Sequence, residues 1–142
     1  MTAPQTAAAH LTDQLEKRLL ALTRDHRLLI QDLIGVVDFV DGWMHGVSDT
    51  ERSRCDQLRQ RLLHVLLQHG VRPTARAGST LDLRYHEVIG VVPANGVPPD
   101  TIMDIVLMGY ELLAPGFAPA TLRQAKVCVA SEENAMPNGD AA

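Results

Sequence analysis

The side chains of this 142-residue chain best suited to chemistry are its histidines, cysteines and aromatics, and their spacing decides what each can do. His86-Glu87 has the form of the opening of a zinc-protease helix, in which a second histidine four positions after the first completes the metal site. Here that position is Gly90, and the surrounding Val88, Ile89, Val91 and Val92 have the composition of a strand. Glu87 is therefore expected to be a solvated or ion-paired carboxylate near a sheet, not a general base. His64 and His69 stand five apart in a helical segment, which directs them to different faces and argues against a shared metal. His10 and His45 have no evident partners in the sequence. Cys55 and Cys128 belong to differently patterned segments and are expected as two free thiols. Trp43 continues a helical apolar series and is expected to pack, as are Tyr85 and Tyr110 with their hydroxyls reaching the surface. No catalytic residue, no metal site and no cofactor is expected, so the chain is not expected to be an enzyme.

The apolar residues carry more. Leu15, Leu19, Leu22, Leu29, Leu33, Val36, Val40 and Trp43 recur at four-then-three spacing, with His26 the polar member of the series. That is a heptad seam. At about 1.5 Å of rise per residue it is roughly 40 Å long, more than the short remaining elements can cover. A second copy of the chain is the expected cover, and in a parallel homodimer His26 would face its symmetry mate and help set the register. From Leu28 onward a second stripe joins the first, Ile30, Ile34, Val37 and Met44, so the coil should give way to a bundle. After a loop at residues 45–49, Cys55, Leu58, Leu62, Val65 and Leu66 mark the buried face of a second helix, which Gly70 ends.

Beyond Gly70 the pattern changes. Pro73, Pro93, Pro98 and Pro99 preclude long helices, while residues 88–92, 102–108 and 126–129 have strand composition. Pro93-Ala94-Asn95-Gly96 and residues 114–119 carry turn chemistry. The expected fold class is α+β: a long coiled-coil helix and a second helix forming a dimeric four-helix bundle, followed by a small, mainly antiparallel β domain. The expected organisation is a disordered start at residues 1–9, a dimerisation region at 10–70 beginning near His10 with Thr12 and Asp13 as capping candidates, a β domain at 71–130 and a disordered tail at 131–142. With 46% hydrophobic and 21% charged residues the chain is expected to fold. A net charge of −4 without a basic face argues against nucleic acid. No stretch has the pattern of a secretory leader or a membrane span, so no membrane contact and a cytoplasmic location are expected.

The stretch QHGVRPTARAGSTLDLRYHEVIGVVPANGVPPDTIMDIVLMGYELL, followed by LRQAKVCVA, resembles the carboxy-terminal domain of the GrpE family, the nucleotide exchange factors of DnaK-type chaperones. DLIGVVDFVDGWM is similar to the family's LLPVLDNLERAL segment, so the resemblance covers roughly residues 28 to 130. Its most specific parts are Gly70-Val71, the stretch from Asp82 to His86-Glu87, Gly109-Tyr110, and Leu122-Arg123 ahead of Ala125 and Val127.

The resemblance implies a homodimer with a long paired helix, a four-helix bundle and two β domains, one of which docks on the ATPase domain of a DnaK-type chaperone and promotes ADP release. Carried across by position, the docking residues are Leu81, Leu83, Val106, Arg123 and Val129. The chain also departs from the family pattern. Gly35 stands where proline is usual, Phe39 where asparagine is common and Gly42 where arginine is common. Leu83 and Gln124 replace prolines, and Met108 replaces a common lysine. The loop at residues 112–121 is longer than typical, and the helix before Leu28 is shorter. The rival expectation from the same residues is a dimeric adaptor of this fold that has lost exchange activity.

Overall fold

The computed structural model describes residues 3–131, so the tail expectation at 132–142 lies outside the described residues, as do Met1 and Thr2. Helix α1 spans Ala3–Trp43. Residues 3–9, expected to be disordered, are thus helical, and the reason is local. Ala7, Ala8 and Ala9 have the highest helix propensity, and Pro4 lies in the first turn, where its missing N–H removes no intrahelical bond. Thr12 and Asp13 are consequently not caps: the Thr12 hydroxyl donates to the Ala8 carbonyl at 3.0 Å, and Asp13 pairs with Lys17 at 3.0 Å.

A single 3-10 turn, Met44–Gly46, follows α1, and helix α2 spans Asp49–Gln68. Ser48 starts α2. Its carbonyl accepts from the Arg52 N–H at 2.8 Å and its hydroxyl from the Glu51 N–H at 3.3 Å, with Glu51 at the spacing of a capping box.

The chain divides into two units between Arg59 and Gln60. In the first, the chain doubles back on itself: Arg59 Nε donates to Asp41 at 2.6 Å, and Arg52 Nε donates to the Met44 carbonyl at 3.4 Å. Asp41 continues the four-three spacing of Ile30, Ile34 and Val37, all three of them buried. The second stripe is therefore the one closed off within the single chain. The seam is mostly left open, with Leu15, Leu19, Leu22, His26, Leu29, Val36 and Trp43 exposed and Leu33 half-buried. Val40 departs from the other seam residues. It is buried because it stands one turn after Val37, beside the chain reversal. On α2 only part of the expected face is covered: Cys55 and Leu66 are buried, Leu62 is half-buried, and Leu58 and Val65 are exposed.

The helix ends where the second unit's sheets begin. Gly70 takes a positive φ of 81° and donates to the Leu67 carbonyl at 3.0 Å. Its own carbonyl accepts from the Leu113 N–H at 2.7 Å, and any Cβ at Gly70 would strike the Leu113 carbonyl oxygen. Only glycine allows both the left-handed turn and this close approach.

Six strands follow: β1 Val71–Pro73, β2 His86–Val92, β3 Ile102–Leu107, β4 Tyr110–Leu112, β5 Ala120–Arg123 and β6 Ala125–Ala130. They form two three-stranded sheets, β1-β4-β5 and β2-β6-β3. The first is antiparallel throughout. In the second, β6 lies between β3, antiparallel to it, and β2, parallel to it. β1, β4 and β5 span three or four residues each, too short for alternation to stand out in the sequence. The core is Ile102, Ala125, Val127 and Val129, with Ala75, Leu81 and Ile105 packed against it. Every second residue of β6 faces this core, and Lys126 between them is exposed.

Candidate functional site

The junction between β5 and β6, Arg123-Gln124-Ala125, draws three segments together. Gln124 Nε2 donates to the carbonyls of Leu83 at 3.2 Å and Arg84 at 3.5 Å, and the Ala125 N–H donates to Tyr85 at 2.9 Å. Arg123 Nε donates to the Met108 carbonyl, one residue past β3, at 2.8 Å, and its guanidinium lies 5.5 Å from the centre of the Tyr110 ring. The loop at residues 81–85 is thus tied to Gln124, and the end of β3 to Arg123. The side-chain amide of Gln124 makes two bonds that hold the loop.

Asp82 organises that loop. Its carboxylate accepts from the Arg84 backbone N–H at 3.0 Å and from the Arg84 guanidinium at 2.8 Å, while its carbonyl accepts from the N–H groups of Tyr85 and His86, both at 2.9 Å. The Arg84 guanidinium, then the Arg84 backbone N–H, hold the Asp82 carboxyl at about 2, below the ordinary 3.8. The same pair raises Arg84. Leu83 lies between them, 71% exposed.

Buried His86 ties the loop down. The Asp82 N–H donates to Nδ1 at 2.9 Å, so the ring proton sits on Nε2, which donates to the Thr74 carbonyl at 2.7 Å. Both nitrogens are committed to backbone, which closes the ring to a metal. His86 is a positioning residue for the loop carrying Leu83.

Val106 is presented differently. Ile105 pairs with Val127 and Leu107 with the adjacent Lys126, so Val106 is the extra residue of a β-bulge. A bulge re-aims its side chain, and Val106 is 56% exposed.

The five residues carried across by resemblance therefore separate. Leu83 and Val106 are open to a partner, Arg123 and Leu81 are half-buried, and Val129 is inside. Val129 is corrected from docking residue to core residue: at 3% exposure it shares the inward face of β6 with Ala125 and Val127. Period-two parity along 125–129 was enough to find this. Leu81 serves chiefly as the loop's apolar foot on the core. Gln124 and His86 were missed as positioning residues. Gln124 stood out only as a departure from proline, and His86 only as half of a metal motif and as part of the Asp82–Glu87 stretch that carries the resemblance.

The buried polar side chains among the described residues are His86 and Glu111, and Glu111 is paired with Arg72. No group of three or more His, Cys, Asp or Glu among the described residues could hold a metal ion. No helix among them is long and apolar enough to cross a membrane. Leu83 and Val106 are both exposed apolar side chains, and Arg84 follows Leu83 in the loop.

A profile of the GrpE family matches residues 26–131, which covers both sheets and the helical reversal that precedes them. The chain belongs to the GrpE family. A protein named GrpE from Chlorobaculum tepidum is 27% identical over 111 residues, covering 77% of this chain and 55% of its own. GrpE of Pelodictyon phaeoclathratiforme is 29% identical over 121 residues, covering 79% and 56%. GrpE of Afipia carboxidovorans is 33% identical over 93 residues, covering 58% and 46%. The chain spans about half the length of the curated relatives it matches. The GrpE match takes in every docking candidate and begins at His26, so the first three leucines of the seam precede it.

Proposed function

We propose that this chain is a non-catalytic co-chaperone: an adenyl-nucleotide exchange factor that promotes ADP release from a DnaK-type chaperone in the cytoplasm during protein folding and stress. The observation that carries the proposal is the GrpE family match over residues 26–131, joined to an exposed Leu83–Val106 surface built around the β5–β6 junction. The mechanism needs linkage and no acid or base. A partner that binds the open, nucleotide-free chaperone more tightly than the closed ADP-bound form must, by reciprocity, weaken ADP binding. Carrying a two-state partner from mostly closed to mostly open takes about 5.5 kcal/mol of differential affinity. A loop held at Asp82, His86 and Gln124 supplies rigidity, so that the partner deforms and the docking surface does not.

The same proposal includes a homodimer joined along Leu15, Leu19, Leu22, Leu29, Leu33, Val36 and Trp43. Support for it is the exposure of six of these seven apolar side chains in the single chain, while the neighbouring stripe is closed.

Release of a fluorescent ADP analogue from the ATPase domain of the cognate DnaK-type chaperone is the test. Acceleration by wild type and its loss in Leu83→Asp is the expected outcome. The second proposal, an adaptor without exchange activity, is favoured by the replacement of proline by Leu83 at the tip of the docking loop. Tight binding without acceleration would select it, and no binding would overturn both.

A further inference from the structure

The connection between β4 and β5 is built unlike the other loops of its unit. β4 and β5 pair antiparallel, Leu112 against Ala120, and residues 113–119 join them. Most hairpin loops have about two to five residues and draw on Asn, Asp, Ser and Gly. Here Leu113-Ala114-Pro115-Gly116-Phe117-Ala118-Pro119 contains no polar side chain, and residues 114–120 are all exposed. Phe117, at 79%, is the most exposed large hydrophobic side chain among the described residues. The backbone that carries it is fixed by a turn. The Phe117 N–H donates to the Ala114 carbonyl at 3.1 Å, with Pro115 and then Gly116 at φ 82° between them, the features of a type II turn. Pro119 restricts the returning limb.

An exposed aromatic on a fixed turn is suited to be an interface anchor, because the backbone part of its ordering has been completed during folding. The strand leaving the loop, β5, ends at Arg123, six residues after Phe117, and six residues span about 20 Å even when fully extended. One side of a standard interface covers about 800 Å², a disc about 32 Å across. A partner seated at Arg123 therefore reaches Phe117 without an unusually large footprint. A lipid surface fits poorly, since no lysine or arginine lies between Glu111 and Arg123 to meet anionic headgroups.

We infer that Phe117 is an additional anchor for the same ATPase domain, entering an apolar pocket on it, and that it sets which DnaK-type chaperone this chain accepts. This rests on the docking surface proposed above. Titration calorimetry of the full chain with the nucleotide-free ATPase domain of the cognate chaperone tests it. Phe117→Ala should weaken binding about tenfold or more, Phe117→Leu should restore part of it, and thermal unfolding should not change. The variant should also lose the preference for the cognate domain over that of a chaperone from an unrelated bacterium. Wild-type-like binding by Phe117→Ala, with binding lost in Leu83→Asp, overturns the Phe117 anchor and leaves the docking surface standing. Failure of wild type to bind overturns the docking surface and the anchor together. Sedimentation with phosphatidylglycerol vesicles that depends on Phe117, without any effect on the ATPase domain, assigns the residue to a membrane and also overturns the anchor.

Discussion

Leu11, Leu15, Leu19, Leu20, Leu22 and Leu28 of α1 are each more than half exposed, whereas Ile102, Val127 and Val129 of the β unit are closed off. The two regions have similar apolar side chains and differ in how many walls surround them. The β unit has two sheets and a packed loop, so its apolar face finds neighbours within the chain. The first half of α1 is a single helix with neighbours only along its own axis. In isolation such a helix gains little beyond propensity, and most helical stability in proteins comes from packing one face. The β unit therefore closes its apolar face with its own contacts, while the seam of α1 is left open in the single chain.

The strongest way to break this contrast is at the seam. Leu19→Asp combined with Leu22→Asp removes four leucines from the proposed dimer, at a cost on the order of 5 kcal/mol of association. Sedimentation should pass from dimer to monomer while amide protection in β6 is retained. A monomeric wild type would end the dimer proposal. The reciprocal experiment is Ile102→Ala, which empties part of the β core and should cost about 2–5 kcal/mol. Protection should fall in β3 and β6 with the sedimentation coefficient unchanged.

Smaller effects sharpen the account of the loop at residues 81–85. His86→Leu leaves the Asp82 N–H and the Thr74 carbonyl without their ring partners, for about 1–3 kcal/mol. Tryptic cleavage after Arg84 should accelerate, and an unchanged cleavage rate would remove His86 from its positioning role. The smallest effect is electrostatic. Asp82 is held at about 2 in the folded chain, below its ordinary value, so its contribution is present above roughly pH 4 and is lost as pH falls through about 2. The carboxylate is only half-buried and its Arg84 partner is exposed, so the gain is correspondingly small. A carboxyl titration followed by NMR should show a midpoint near 2 in wild type and a return toward the ordinary value in Arg84→Ala.

Much of the fold was legible in advance where a long segment repeats one choice. The seam and second stripe of α1 span many turns, so their separation survived local exceptions such as His26. Strands β2, β3 and β6 were legible as runs of valine and isoleucine, although the parallel pairing of β2 with β6 was not. The alanine-rich start, expected to be disordered, is helical from Ala3, because low variety is not low propensity. The candidate site was legible only in part. The resemblance picked out Leu83 and Val106, which are exposed, together with Val129, which is buried, and no local period marked Gln124 or His86 as the supports of the loop.

The sequence by itself determined the periodicities: a heptad seam beside a second stripe, a glycine stop at Gly70, and a β region broken up by prolines. These follow from near-neighbour sterics and from the pitch of a helix or strand, which need no knowledge of distant residues. Only the tertiary structure decided which stripe is closed within the chain, which face of β6 is inside, and which backbone groups His86 and Gln124 reach. Those outcomes depend on pairings across up to 41 positions, such as Leu83 with Gln124, and a pairing between distant segments leaves no local period to read.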